Sequence, residues 1–252
     1  GTDGGVVRNN RIGTAPAGSG DLGNGSRGVR VDSGAGTTEI LDNLISGNGS
    51  DGVSFEASTG SPKVQGNTIG LDAAGNPLPN AQSGVAIAAA STGVLVGGGS
   101  VPNTIAGNAN YGVYIADAGT SANTVQGNLI GGSGGRGNVL AGVTLRNGAH
   151  DNLVDANTIV GQAAAPGIEI VGASTRLNSV RGNRIGIDAT EAVVANQVGV
   201  RLGEGAHDNA IGSGGRNTIS GNAFAWYFNN NLAIGDQFLF NIDPSWKVEG
   251  VG

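Results

Sequence analysis

Cysteine and methionine are both absent from the 252 residues. Without cysteine there is no disulfide framework and no thiolate metal site. Charge is scarce, at 13% of residues. No cluster of Lys or Arg stands anywhere along the chain, so the basic stripe that nucleic acid demands is missing. No apolar run is long enough to span a bilayer, which excludes membrane insertion by a helix. Aromatic residues make up only 4%. The first residue is Gly1 rather than Met, from which a processed signal or an excised piece is expected. Glycine, by contrast, supplies 49 residues, far above the usual share, yet shows no Gly-X-Y period of the collagen kind. An apolar fraction of 38% at regularly placed Val and Ile argues against disorder. The small, polar, bland surface fits a secreted or cell-surface protein.

What the chain does have is repetition. Asn-x-Ile recurs in step with the repeat, opening at Asn10, Asn43, Asn67, Asn103, Asn128, Asn157, Asn183 and Asn217. A second phrase, Gly-(Val/Ile)-x-(apolar), opens at Gly28, Gly52, Gly84, Gly112, Gly142, Gly167 and Gly199, with spacings of 24 to 32 residues. Such a period marks an array of stacked units. Within one unit, Gly112-Val113-Tyr114-Ile115 alternates apolar and outward residues, as a strand does. A polar turn follows, then a second short strand at Thr124-Val125-Gln126 and a third at Asn128-Leu129-Ile130. The other second strands read as Glu39–Leu41, Lys63–Gln65, Val94–Val96, Leu153–Asp155, Ser179–Arg181 and Ala210–Gly212. Three short strands per turn describe a coil that buries its apolar face only against its neighbours. About eight such coils at the strand spacing give a rod on the order of 40 Å.

The seven asparagines from Asn43 to Asn217 are expected to form a ladder, each satisfying the amide of the next. Gly at the bends is expected to supply positive φ. Two insertions, Leu71–Asn80 and Ile187–Asn196, echo each other and are candidates for a binding face. The final segment holds Phe224, Trp226, Tyr227, Phe228, Phe238, Phe240 and Trp246, seven of the ten aromatic residues. We therefore divide one elongated domain into repeats over 1–223 and a capping or assembly segment over 224–252.

The phrases Gly66-Asn67-Thr68-Ile69-Gly70-Leu71-Asp72, Gly107 to Ile115 and Gly182-Asn183-Arg184-Ile185-Gly186-Ile187-Asp188 resemble the right-handed parallel β-helix proteins of the pectin-lyase-like superfold. The resemblance covers the chain up to Ala223. It implies an all-β, single-stranded solenoid. It implies no single activity, because that superfold hosts lyases, hydrolases, epimerases, tailspikes and adhesins.

Enzymes of that superfold act from an outward strand face. Here the outward residues of the Gly-Val strands are Arg30, Ser54, Ala86, Tyr114, Thr144, Glu169 and Arg201, followed by Asp32, Glu56, Ala88, Ala116, Arg146, Val171 and Gly203. Two charged patches result: Arg30, Asp32 and Glu56, and then Arg146, Glu169 and Arg201 with Tyr114 nearby. A carboxylate between two guanidiniums suits a sugar acid, Arg holding the uronate and Tyr or Glu exchanging the proton. A cross-strand ion pair on a solvated face is the plainer explanation. The repeated Gly-Ala-His-Asp-Asn phrase places His150 and His207 two coils apart, about 10 Å, too far to share a metal. The Gly-rich stretch 131–137 precedes no helix and closes on no Lys-Ser, so it is a return bend rather than a phosphate loop.

These readings favour an extracellular structural or adhesive solenoid. Its partners would be other copies, joined end to end through the aromatic segment as a filament, or extracellular glycans. The alternatives are a polysaccharide lyase or hydrolase using Glu169, Arg146, Arg201 and Tyr114, and a glycan-binding module without turnover. No cofactor and no metal is expected.

Overall fold

The computed structural model describes residues 4–33 and 35–228 and the strand at 237–238; for 224–228 and 237–238 the backbone alone is described. Three parallel sheets of nine, eight and eight strands run the length of the described chain. The backbone visits them in turn. Val6–Arg8 enters the first sheet, Arg11–Ile12 the second and Val29–Asp32 the third. Glu39–Leu41 then returns to the first, pairing in parallel with Val6–Arg8. There is no helix among the described residues, and none that is long and apolar enough to cross a membrane.

The period-2 pattern of each strand dictates which face is buried. The Ile of every Asn-x-Ile phrase from Ile45 to Ile185 points inward and is fully buried. The inward column of the first sheet is filled by Ile40, Val64, Val96, Val125, Val154, Val180 and Ile211. The third sheet contributes two inward columns, one running through Phe55, Ile87, Ile115, Leu145 and Ile170. Like residues stack on like, so the interior is a set of aliphatic columns and no coil has a core of its own. The first-sheet strand expected at Val94–Val96 lies one residue later, at Leu95–Gly97.

Asparagine fills the corners. Asn43, Asn67, Asn103, Asn128, Asn157, Asn183 and Asn217 are all buried, between the first and second sheets. Each Nδ2 donates to the Oδ1 of the next, at 2.8–3.1 Å. The same Nδ2 groups reach backbone carbonyls, as Asn128 does to Val96 at 2.9 Å and Gln126 at 3.1 Å. A buried amide is costly unless satisfied in this way. Two further ladders stand at the other corners. One runs through Asn24, Asn48, Asn80, Asn108, Asn138, Gln162, Asn196 and Asn222. The other runs through Asn123, Asn152, Asn178 and Asn209.

Glycine acts in two ways. Gly70 has φ +90° and sits under the Ala106 carbonyl, which a Cβ would meet at 2.2 Å. The glycines that open the Gly-Val strands work differently. Gly112 has no positive φ; a Cβ there would meet the Gly142 carbonyl oxygen at 2.5 Å and Ile130 Cγ2 at 2.8 Å. Its requirement is close approach between coils rather than an unusual turn.

The two insertions are closed hairpins. Leu71 bridges Pro77 and Ile187 bridges Val193, both antiparallel. Asp72 Oδ1 accepts the amides of Ala74 and Asn76, and Asp188 Oδ1 those of Thr190 and Ala192. Hydrogen bonds from Asn76 and from Thr190 hold these two carboxyls below the usual range. Phe224–Phe228 pairs in parallel with Val198–Gly203 as a further strand of the third sheet. The side chains of Phe224, Trp226, Tyr227, Phe228 and Phe238 lie outside the described residues, as do Phe240 and Trp246 altogether.

Candidate functional site

The outer face of the third sheet carries the charged and aromatic side chains, and its register aligns them in columns. Arg30, Ser54, Ala86, Tyr114, Thr144, Glu169 and Arg201 are successive partners. Asp32, Glu56 and Ala88 form a parallel column, which continues on later coils as Ala116, Arg146, Val171 and Gly203.

The sequence-derived quartet divides between two places. Glu169 is nearly buried, and its oxygens are held by Arg201 and by Thr144 Oγ1, the latter at 3.1 Å. Arg201 also faces Glu204 at 3.4 Å. Arg146 turns away from this pair and donates Nη1 to the Tyr111 hydroxyl at 2.8 Å. Glu169 thus has one guanidinium on it rather than two, and the set Glu169–Arg201 is a cross-strand ion pair closed on itself.

Tyr114 and Arg146 belong instead to a cleft of about 440 Å³ over the earlier coils. Its floor is made of small side chains, Ser54, Ala86 and Ala88, which are three of the four outward positions on these two coils, the fourth being Glu56. One wall is Tyr111, Tyr114 and Arg146. The two phenol rings lie 5.4 Å apart at 30°, within the range of favourable aromatic pairs. The opposite wall is Arg27, Asp51 and Glu56. Arg27 Nη2 meets Glu56 Oε1 at 2.5 Å, and its Nε lies 3.9 Å from Asp51 Oδ2. Arg30 takes the other oxygen of Glu56 at 2.7 Å and Asp32 at 2.8 Å.

Burial shapes the ionisation of this cleft. The Asp51 carboxyl is pushed up, chiefly by burial; the Ser83 amide at 3.0 Å and the Arg27 charge oppose the shift. The Tyr114 phenol is also pushed up, by burial first and by Asp117 second, with Arg146 opposing. Five buried side-chain polar atoms lack a hydrogen-bond partner among the described residues, and three belong here: Ser54 Oγ, Arg27 Nε and Arg146 Nε. Unsatisfied polar atoms concentrated in one concave place make this cleft the candidate site.

Arg27, Asp51 and Tyr111 are site residues that strand periodicity passes over. They share a sequence signal, each being the residue immediately before a repeat glycine, Gly28, Gly52 or Gly112. The histidines lie elsewhere. His150, Arg176 and His207 stack as one column on a turn, and Asp151 and Asp208 take the two Nδ1 atoms at 2.7 and 2.8 Å. Among the described residues no group of three or more His, Cys, Asp or Glu is placed to hold a metal ion.

The family of periplasmic copper-binding proteins called NosD matches residues 9–130. No curated protein sequence matches the chain. Among solved structures, the A-module of the Azotobacter vinelandii mannuronan C-5 epimerase AlgE4 superposes with a TM-score of 0.66 at 19% identity. The match covers 94% of this chain and 58% of that one, so the chain spans little more than half of the epimerase module. The sheet order, the stacked columns and this superposition agree: the chain is a right-handed parallel β-helix.

Proposed function

We propose that this β-helix works outside the cytoplasm as an adhesive, glycan-binding rod, and that the cleft on its third sheet is the glycan site. One observation carries the reading: two adjacent phenol rings and a guanidinium form one wall over a floor of Ser54, Ala86 and Ala88. Sugar rings present an apolar C–H face, which stacks on aromatic rings, and a rim of hydroxyls, which hydrogen-bond to Arg and carboxylates. The likeness to a polysaccharide-modifying module and the periplasmic description of NosD support the setting. Copper does not transfer. Copper sites use imidazole, thiolate or thioether donors, and residues 9–130 contain no His, Cys or Met.

Depletion of the protein from solution by a panel of polysaccharides tests the proposal. At least one glycan should retain the wild type and Arg201→Ala, and release Tyr114→Ala. Failure of every glycan to retain the wild type would remove the cleft as a glycan site.

Turnover is a second reading, favoured by Asp51, a carboxyl whose hold on its proton burial strengthens inside the cleft. Assays for new reducing ends or unsaturated uronates decide it. Loss of activity in Asp51→Asn would place the chemistry in the cleft; loss in Glu169→Gln with Asp51→Asn active would place it at the ion pair. End-to-end assembly into filaments is a separate proposal, and sedimentation showing only monomers would remove it.

A further inference from the structure

We infer that the cleft selects uncharged glycans and rejects polyuronates, an inference that rests on the glycan reading above. The reason is charge balance. The cleft is lined by two guanidiniums, Arg27 and Arg146, and two carboxylates, Asp51 and Glu56. The next residues outward, Arg30 and Asp32, pair with each other at 2.8 Å. Arg27 and Arg30 are both committed to Glu56, at 2.5 and 2.7 Å. Beyond the aromatic wall, Arg201 is committed to Glu169 and Glu204. Only Arg146 faces the cleft with a neutral partner, the Tyr111 hydroxyl. Asp117 lies close enough to Tyr114 to raise its phenol, so even this wall carries a nearby negative charge. The chain as a whole has a net charge of −6.

A polyuronate brings one negative charge per sugar. It is drawn into a groove whose summed potential is positive, and here the summed charge is zero or below. It would also have to compete with Glu56 and Asp51 for guanidiniums already held. A neutral glycan meets no such opposition. Its hydroxyls both donate and accept, and so match a lining that carries carboxylates and guanidiniums together. Its ring face lies against Tyr114.

The test is calorimetric titration of the intact protein with neutral oligosaccharides (gluco-, manno-, xylo- and galacto-) and with oligomannuronate and oligogalacturonate, at low salt and at high salt. The expected result is binding of a neutral series, with affinity that changes less than about two-fold with salt because no ion pairs form. Tyr114→Ala should weaken it by about ten-fold or more. Glu56→Gln, which removes one negative charge from the lining, should make uronate binding appear at low salt and vanish at high salt. Wild-type binding of uronates, as tight as or tighter than any neutral series and lost with salt, would overturn the inference and leave the glycan site standing. Binding of neither class would overturn both.

Discussion

Arg146 Nη1 donates to the Tyr111 hydroxyl at 2.8 Å, joining neighbouring coils of the third sheet. The Tyr111 ring in turn lies 5.4 Å from Tyr114. One phenol therefore orients both a cation and a stacking platform. Tyr111→Phe keeps the ring and releases the guanidinium. Its expected effect is a small loss of stability, about 1 kcal/mol or less at a half-exposed position, with a glycan affinity lowered several-fold. Thermal melts and calorimetric titration separate the two. Unchanged affinity would mean that Arg146 needs no anchor.

The asparagine ladder should behave as a structural element and not as a surface decoration. Asn128 accepts from Asn103 at 2.8 Å and donates to Asn157 at 2.9 Å. Asn128→Ala removes the acceptor of one buried Asn103 N–H and the side-chain donor to Asn157 Oδ1 and to the Val96 and Gln126 carbonyls. Each unmet group costs about 1–3 kcal/mol. Denaturant unfolding should therefore show a loss of about 3 kcal/mol or more, whereas Asn76→Ala in an exposed hairpin should cost far less.

Much of this is legible from the sequence alone, and the limits have physical causes. The first ladder and the outward columns follow from phrases that hold their spacing, since identical positions on successive coils must stack. The second ladder hides because its spacing to the following glycine varies: four residues from Asn108 to Gly112, but five from Gln162 to Gly167 and three from Asn196 to Gly199. The same column also changes residue type, at Gln162. The cleft is only half readable. Register places Tyr114 and Arg146 correctly on the outer face, but register does not say which way a long guanidinium swings. Arg146 takes a phenol on its own wall, so the quartet with Glu169 comes apart. The recurrence of glycine at Gly112 is legible, but not its cause, because sequence reveals a need for glycine without revealing whether conformation or clearance imposes it.

That distinction can be measured. Gly112→Ala forces a Cβ against the Gly142 carbonyl and Ile130 although its φ is ordinary. Gly127 has φ +65° and open space around a Cβ. Gly112→Ala should cost about 3 kcal/mol or more, the upper end of overpacking, because the Cβ meets a backbone carbonyl; Gly127→Ala should cost about 1–2 kcal/mol of backbone strain. Equal or reversed costs in chemical denaturation would refute the clearance argument.

The pH dependence of Asp51 has a definite sign. Its folded-state value is raised above the ordinary 3.8, mainly by burial. The folded protein therefore holds this proton more tightly than the unfolded chain, and stability falls as pH rises from 3.8 up through the folded value. Asp51→Asn should melt above the wild type at neutral pH, and the difference should close as pH drops below 3.8. Asp72 and Asp188 act in the opposite direction, losing their contribution as pH falls, but neither is buried. A difference in melting that grows on acidification would contradict the assignment of Asp51.

The central claim concerns where a glycan sits, and a crystal structure of the complex tests it most directly. The account predicts sugar density over Ala86, one ring against Tyr114 and hydroxyls within hydrogen-bond distance of Arg146 and Glu56. Density on another sheet, on the two hairpins or around the His150–Arg176–His207 column, with the cleft empty, would contradict it.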